Sequence, residues 1–399
     1  MHIVLSNAIV WPGDGREFEG SVVVRDGVIE QVLPGRYAGP LLTVDCGGLA
    51  ISPGMIDLMM LGGFNRSVLR DDPLEIAREY LRLGVTAVQL CVGTLPPDSQ
   101  RGVAENARRA MDYAGDDAAE VLGVYLEGPF QQPELTGASL RQFALPPSRE
   151  NVARVLDEFG PAVTMINVAP GLPGALEAVR QIRAAGKIVA MAHSDAPAEA
   201  VLACVEAGAT VLGHAWDNNP GRIGDSGVQQ PTLEHVALTD ERVRFIHLIC
   251  DGTHVHPVIV RLTLRCRGVE PLCLVTDAVI RAGCPDGPYA SDDGRTFTKQ
   301  HGVGRTDTGW LAGSALLLPD QFRTFVSITG LPPAQAVRTV TLNPAACLGL
   351  DHRIGVLAPG CRADLIAWDP ATLRVRRVWR AGREIAGLSD FHEVKWTAE

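Results

Sequence analysis

The chain has 399 residues, 46% hydrophobic and 21% charged, enough for one large domain with a smaller accessory one. Its net charge is −10 and it has no long basic cluster, which argues against a nucleic-acid partner. The apolar runs are far too short to span a bilayer, so no membrane partner is expected. Nine scattered cysteines without a C-x-x-C pair fit a reducing cytoplasm better than a disulfide framework.

The N-terminal HIVLSNAIV lacks a basic flank and soon meets a turn, so it reads as a strand rather than a signal peptide. SVVVRDGVIEQVL follows, with Asp26-Gly27 as a hairpin signal. The C-terminal end is similar: DLIAWD, then RVRRVWRAGREI with a turn at Ala381-Gly382. Neither segment has enough apolar surface to stand alone, and together they can share one small β-sandwich. Between them, eight strand-like apolar runs fall at 50–57, 85–91, 121–126, 164–168, 188–192, 210–213, 244–248 and 272–276. Helical patterns at 74–83, 103–113, 175–185 and 198–207 separate several of them. Continuous hydrophobicity suits parallel strands covered on both faces. The α/β class is therefore expected, as a (β/α)8 TIM barrel with a small β-sandwich built from both termini. The expected boundaries are 1–51 and 355–399 for the sandwich and 52–354 for the barrel. A doubly wound sheet is the alternative, but polar residues at five or more strand ends favour the barrel.

Those strand ends carry the chemistry. The fifth and sixth runs form a strand–His–helix–strand–His unit ending in His193 and His214. Neighbouring parallel strands lie about 4.8 Å apart, so both imidazoles can reach one metal ion. Glu127 follows the third run, His254 lies in CDGTHVH after the seventh, and Asp277 ends the eighth in LVTDA. One carboxylate and two imidazoles supply the protein ligands of an open catalytic zinc site. Asp277 can then move a proton between water and a leaving group. Taken singly, Glu127 and Asp277 read equally well as loop or capping carboxylates.

With these motifs in order, the chain resembles the amidohydrolase superfamily and, within it, the N-acetylglucosamine-6-phosphate deacetylases. The segments are PGMID, LEGPF, AHSDA, GHAWDN, DGTHVH, VTDA, LAGSAL and TLNPA, spread over nearly the whole chain. The resemblance implies one divalent metal, zinc by preference, on Glu127, His193 and His214, with Asp277 as general acid/base. It implies that Asp217, Asn218, His254 and the backbone of Leu311, Ala312 and Gly313 face the substrate. The reaction implied is removal of an acetyl group from an N-acetylated amino sugar by metal-activated water, in a cytoplasmic homodimer. Several positions depart from the family pattern. Met59 and Leu61 replace a His-x-His pair, and Gly137-Ala138-Ser139 replaces a segment ending in histidine, leaving Ala138 and Ser139 beside the substrate. Gly171 replaces a glutamate, and Asp225 stands near the arginine used on the sugar phosphate. Either Arg222 takes that arginine's place in a shifted loop, with His254 assisting, or the phosphate site is gone. The alternatives are hydrolysis of a different, unphosphorylated N-acyl compound, or a catalytically silent ligand-binding homologue.

Overall fold

The computed structural model describes residues 2–224, 226–290, 296–300, 302–306 and 311–388, with backbone alone at Phe297 and Ala312. Eight parallel strands run in consecutive order. They are β1 (Met55–Met60), β2 (Val85–Val92), β3 (Glu120–Phe130), β4 (Val163–Val168), β5 (Ile188–Met191), β6 (Val211–Leu212), β7 (Phe245–Leu248) and β8 (Leu272–Leu274). Every one of the eight expected runs contributes a strand. A helix follows each strand, beginning with Pro73–Leu81 after β1 and ending with Leu318–Thr329 after β8. That first helix shows why the local sequence folds as it does. Asp72 caps it by accepting from the Leu74 amide, Pro73 fixes its first turn, and Ile76, Ala77, Tyr80 and Leu81 bury one face. Among the described residues, no helix is long and apolar enough to cross a membrane.

One expected strand divides in two. In the run 50–57, Ala50–Pro53 belongs to a second sheet and only Met55–Met60 to the barrel. The break falls at Pro53-Gly54. A Cβ on Gly54 would lie 2.1 Å from Thr86 Oγ1, so only glycine lets the two strands approach there. The second sheet joins both ends of the chain. Ala50–Pro53 pairs in parallel with His2–Val10 and antiparallel with Leu365–Asp369. Leu5, Val10, Val22, Ile51, Leu365 and Trp379 form its own core.

Closure of the barrel is polar. A bridge from Met60 to Ala278 brings β1 alongside the chain just beyond β8. Asp57, fully buried, accepts from the Thr276 hydroxyl at 2.5 Å, the Thr276 amide at 3.1 Å and the Met59 amide at 3.2 Å. Asp57→Ala would strand those donors in a dry core, so it should lower unfolding stability by about 3 kcal/mol. Chemical denaturation checks this; an unchanged midpoint would mean that closure does not depend on Asp57.

Candidate active site

The strand ends converge in one buried space. Glu127 stands within β3, His193 and His214 follow β5 and β6, and Asp277 follows β8. His193, His214 and Asp277 adopt φ of 54°, 21° and 50°. Non-glycine residues at positive φ are uncommon, and each costs of order 1–3 kcal/mol. Here the surrounding barrel holds three of them at the mouth.

Glu127 Oε1 lies 2.8 Å from His193 Nε2 and 3.2 Å from His214 Nε2, and the two Nε2 atoms are 2.9 Å apart. His193 Nδ1 is 2.7 Å from the Leu135 carbonyl oxygen, and His214 Nδ1 is 3.2 Å from that of Asp217. A carbonyl only accepts, so each neutral ring keeps its proton on Nδ1 and turns the Nε2 lone pair inward. Two lone pairs and a carboxylate converging in this way need a cation between them. The three residues are only 6%, 2% and 1% exposed, so bulk water does not supply the screening. Burial works against ionisation of Glu127, yet the contacts from His193 and His214 outweigh it and hold the carboxyl well below its usual range. Burial likewise disfavours charge on His214, but the hydrogen bond and charge of Glu127 push it up to about 9. A divalent ion satisfies the same demand. The three ligand atoms lie within 4.8 Å of one another, and the donor set is that of an open catalytic zinc site.

A cavity of roughly 1010 Å³ opens at this point. Glu127, His193 and Asp277 line it, together with Ala138, Ser139, Asp217, Asn218, His254, Leu311 and Gly313. Only the backbone of Ala312 is described, in the strand Leu311–Ser314. Burial and the neighbouring charge of Glu127 push the Asp277 carboxyl well above its ordinary range, with His214 and His254 acting the other way. His254 Nδ1 donates to Asp251 Oδ2 at 2.6 Å. Burial would lower His254, but that bond and the Asp251 charge raise it to about 9.

Other expected residues fall elsewhere. Arg222 lies in the short strand Arg222–Ile223 and donates to the Asp195 carbonyl at 2.7 Å. Among the described residues, the cavity wall does not include it. Asp225 lies outside the described residues. Met59 is fully buried in the barrel core, whereas Leu61 reaches the cavity. A Cβ on Gly171 would stand 2.9 Å from Gln132 Oε1, so Gln132 occupies the room a glutamate would need. The sequence reading missed two residues. Cys91, at the end of β2, donates weakly from its thiol to Glu127 Oε2 at 3.7 Å. Its place at a strand end was the available signal. Asp251 lies within CDGTHVH, three residues before His254, a spacing that suits a side-chain pair on one turn.

The amidohydrolase family profile matches residues 51–395. The chain belongs to the amidohydrolase family. The N-acetylgalactosamine-6-phosphate deacetylase of Escherichia coli O157:H7 is 33% identical over 374 residues, 90% of this chain and 93% of that protein. The N-acetylglucosamine-6-phosphate deacetylase of Vibrio furnissii is 32% identical over 344 residues, 85% of this chain and 84% of that one. A mutant N-acetyl-D-glucosamine-6-phosphate deacetylase from Mycobacterium smegmatis, in complex with N-acetyl-D-glucosamine-6-phosphate, matches with a TM-score of 0.86 at 30% identity. It covers 96% of this chain and 99% of that chain. This amidohydrolase therefore carries its carboxylate and imidazoles on the same scaffold as those deacetylases.

Elemental analysis of the purified protein should return one tightly held divalent metal per chain. His193→Ala or His214→Ala should each empty the site, since two protein donors hold an ion far less well than three. Two tightly held equivalents in the parent protein would contradict this assignment.

Proposed function

We propose that this amidohydrolase is a metal-dependent amide hydrolase that removes an acetyl group from an N-acetylated amino sugar. The observation that carries the reading is the cluster of Glu127, His193 and His214 beside a cavity that Glu127, His193 and Asp277 line. In this reading Glu127, His193 and His214 hold one divalent ion. Zinc is the ion proposed, because two imidazoles and a carboxylate are common donors at its catalytic sites. When bound, the ion supplies Lewis acidity toward water and the amide carbonyl. Asp277 takes the proton of the attacking water and delivers it to the amine nitrogen as the carbon–nitrogen bond breaks. Its burial keeps bulk water from competing for that proton. Asp217, Asn218 and His254 orient the amine-bearing head, with Ala138 and Ser139 also lining the cavity. The backbone of Leu311, Ala312 and Gly313 borders the reacting group. A homodimer and a cytoplasmic setting belong to the same proposal; nine free cysteines favour a reducing compartment.

A second reading keeps the chemistry and removes the 6-phosphate from the substrate. It is favoured by Arg222, which is turned to the Asp195 carbonyl, and by the packing of Gln132 beside Gly171. Phosphate recognition favours bidentate contact from arginine. The two readings separate by kcat/KM for N-acetylglucosamine and N-acetylgalactosamine with and without the 6-phosphate. A strong preference for the phosphorylated sugars that collapses in Arg222→Ala would sink the second reading.

The chemistry is tested at Asp277. Asp277→Asn should keep its metal and lose turnover by about 10²–10⁴-fold, the usual contribution of a general acid–base group. Turnover at the parent rate would make Asp277 structural.

A further inference from the structure

The two imidazoles of the cluster are held in different ways. His214 is fixed within its own loop. The Asp217 carbonyl meets its Nδ1, and the Asp217 amide donates to the His214 carbonyl at 3.1 Å. His193 is held from another part of the chain. β5 ends at Met191 and the next helix begins at Ala198, so His193 stands outside both. The segment that holds it continues from β3, the strand that carries Glu127. A ring of hydrogen bonds results. The Gln132 amide donates to the His193 carbonyl at 3.3 Å, the Leu135 amide to the Gln132 carbonyl at 2.9 Å, and His193 Nδ1 to the Leu135 carbonyl at 2.7 Å. The Gln132 side chain adds a second grip two residues beyond His193. Its Nε2 donates to Asp195 Oδ1 at 2.8 Å, and its Oε1 accepts from the Asp195 amide at 2.9 Å. Every polar atom of Gln132 is thus engaged in holding this stretch.

We propose that Gln132, through Asp195, is the positioning residue that fixes His193 for metal binding; this rests on the reading of Glu127, His193 and His214 as ligands of one ion. Ligands from different strands bind an ion well only when their relative position is set beforehand. Residues 127–135 carry one ligand and grip another, so they set Glu127 against His193. His193 needs that grip. Its backbone sits at φ 54°, a conformation that persists only where the surroundings over-determine it. The Leu135 carbonyl fixes the tautomer of the ring. The Gln132–Asp195 pair fixes the main chain from which the ring projects. Among the described residues, the cavity wall does not include Gln132, so it acts through His193 rather than on a substrate. Gly171 leaves the room for the pair. A Cβ there would stand 2.9 Å from Gln132 Oε1 and 3.2 Å from Ser194 Oγ. The Gly171 amide donates to that same Ser194 hydroxyl at 3.1 Å, so the loop after β4 packs against this stretch as well.

The test is the zinc affinity of the protein, measured by competition with a chelator, beside the unfolding midpoint of the metal-free form. Gln132→Ala removes both side-chain bonds and leaves the main-chain ring. It should weaken zinc binding by about 10–100-fold, the usual effect of losing a group that orients a ligand. Asp195→Ala should weaken binding too, whereas Asp195→Asn keeps the Oδ1 acceptor and should hold zinc nearly as the parent does. Because the two residues act through one contact, the double Ala variant should bind no more weakly than Gln132→Ala. A glutamine that only supported the fold would lower the metal-free midpoint and leave the zinc affinity of the folded protein unmoved. Unmoved affinity in Gln132→Ala, or losses that add in the double variant, overturns the proposal and leaves the metal site in place. If Gln132→Ala does not fold, the Asp195 variants decide: equal affinity in Asp195→Ala and Asp195→Asn overturns it. A parent protein that binds no zinc overturns the metal site as well. None of these measurements uses hydrolysis, so their outcome is separate from that of the acetyl-removing reading.

Discussion

A carboxylate that is almost wholly removed from water stays ionised only if positive charge is held against it. Glu127 faces two imidazoles, each fixed by a backbone carbonyl on its far nitrogen, which supply that charge when protonated or through a cation held between them. The arrangement then has its own requirement, since two inward lone pairs and a carboxylate must share a cation. From this one constraint follow the raised His214, the depressed Glu127 and the neighbouring Asp277, pushed up by burial and by the charge beside it. A proton donor and acceptor poised next to a cation-seeking cluster is the minimum equipment for hydrolysing an unreactive amide.

The rest of the barrel holds that constraint in place. The strand carrying Glu127 is tied at its other end, where Glu120 pairs with Arg353 and Arg362. Arg362 also meets Asp364, which in turn binds Arg380 of the terminal sheet. Exposed ion pairs are worth little, but this set is largely buried and joined as a network. The C-terminal segment thus bears on the register of β3. Asp57 does the equivalent for closure, joining β1 to Thr276, one residue before Asp277.

Where this chain departs from its family's pattern, the packing around each departure is coherent. Met59 fills the core, Leu61 faces the cavity, and Gln132 takes the space beside Gly171 and bonds Asp195. These changes leave the metal-seeking cluster intact and alter the walls around it.

Sequence by itself determined the elements and the residue types. Continuous apolar runs marked eight parallel strands, since strands covered on both faces have no polar side. Glu127, His193, His214 and Asp277 were legible because each sits at or just past such a run. Sequence could not determine which atoms meet. Spacing along the chain does not reveal that Glu127 Oε1 faces both imidazoles, or that Cys91 takes its other oxygen. It does not show that Arg222 turns to Asp195 or that Ala50–Pro53 leaves the barrel for the terminal sheet. Those outcomes depend on loop conformations at positive φ and on contacts between residues tens to hundreds of positions apart. Such contacts are set by the closure of the barrel, which brings β8 back to β1, and no local pattern encodes them.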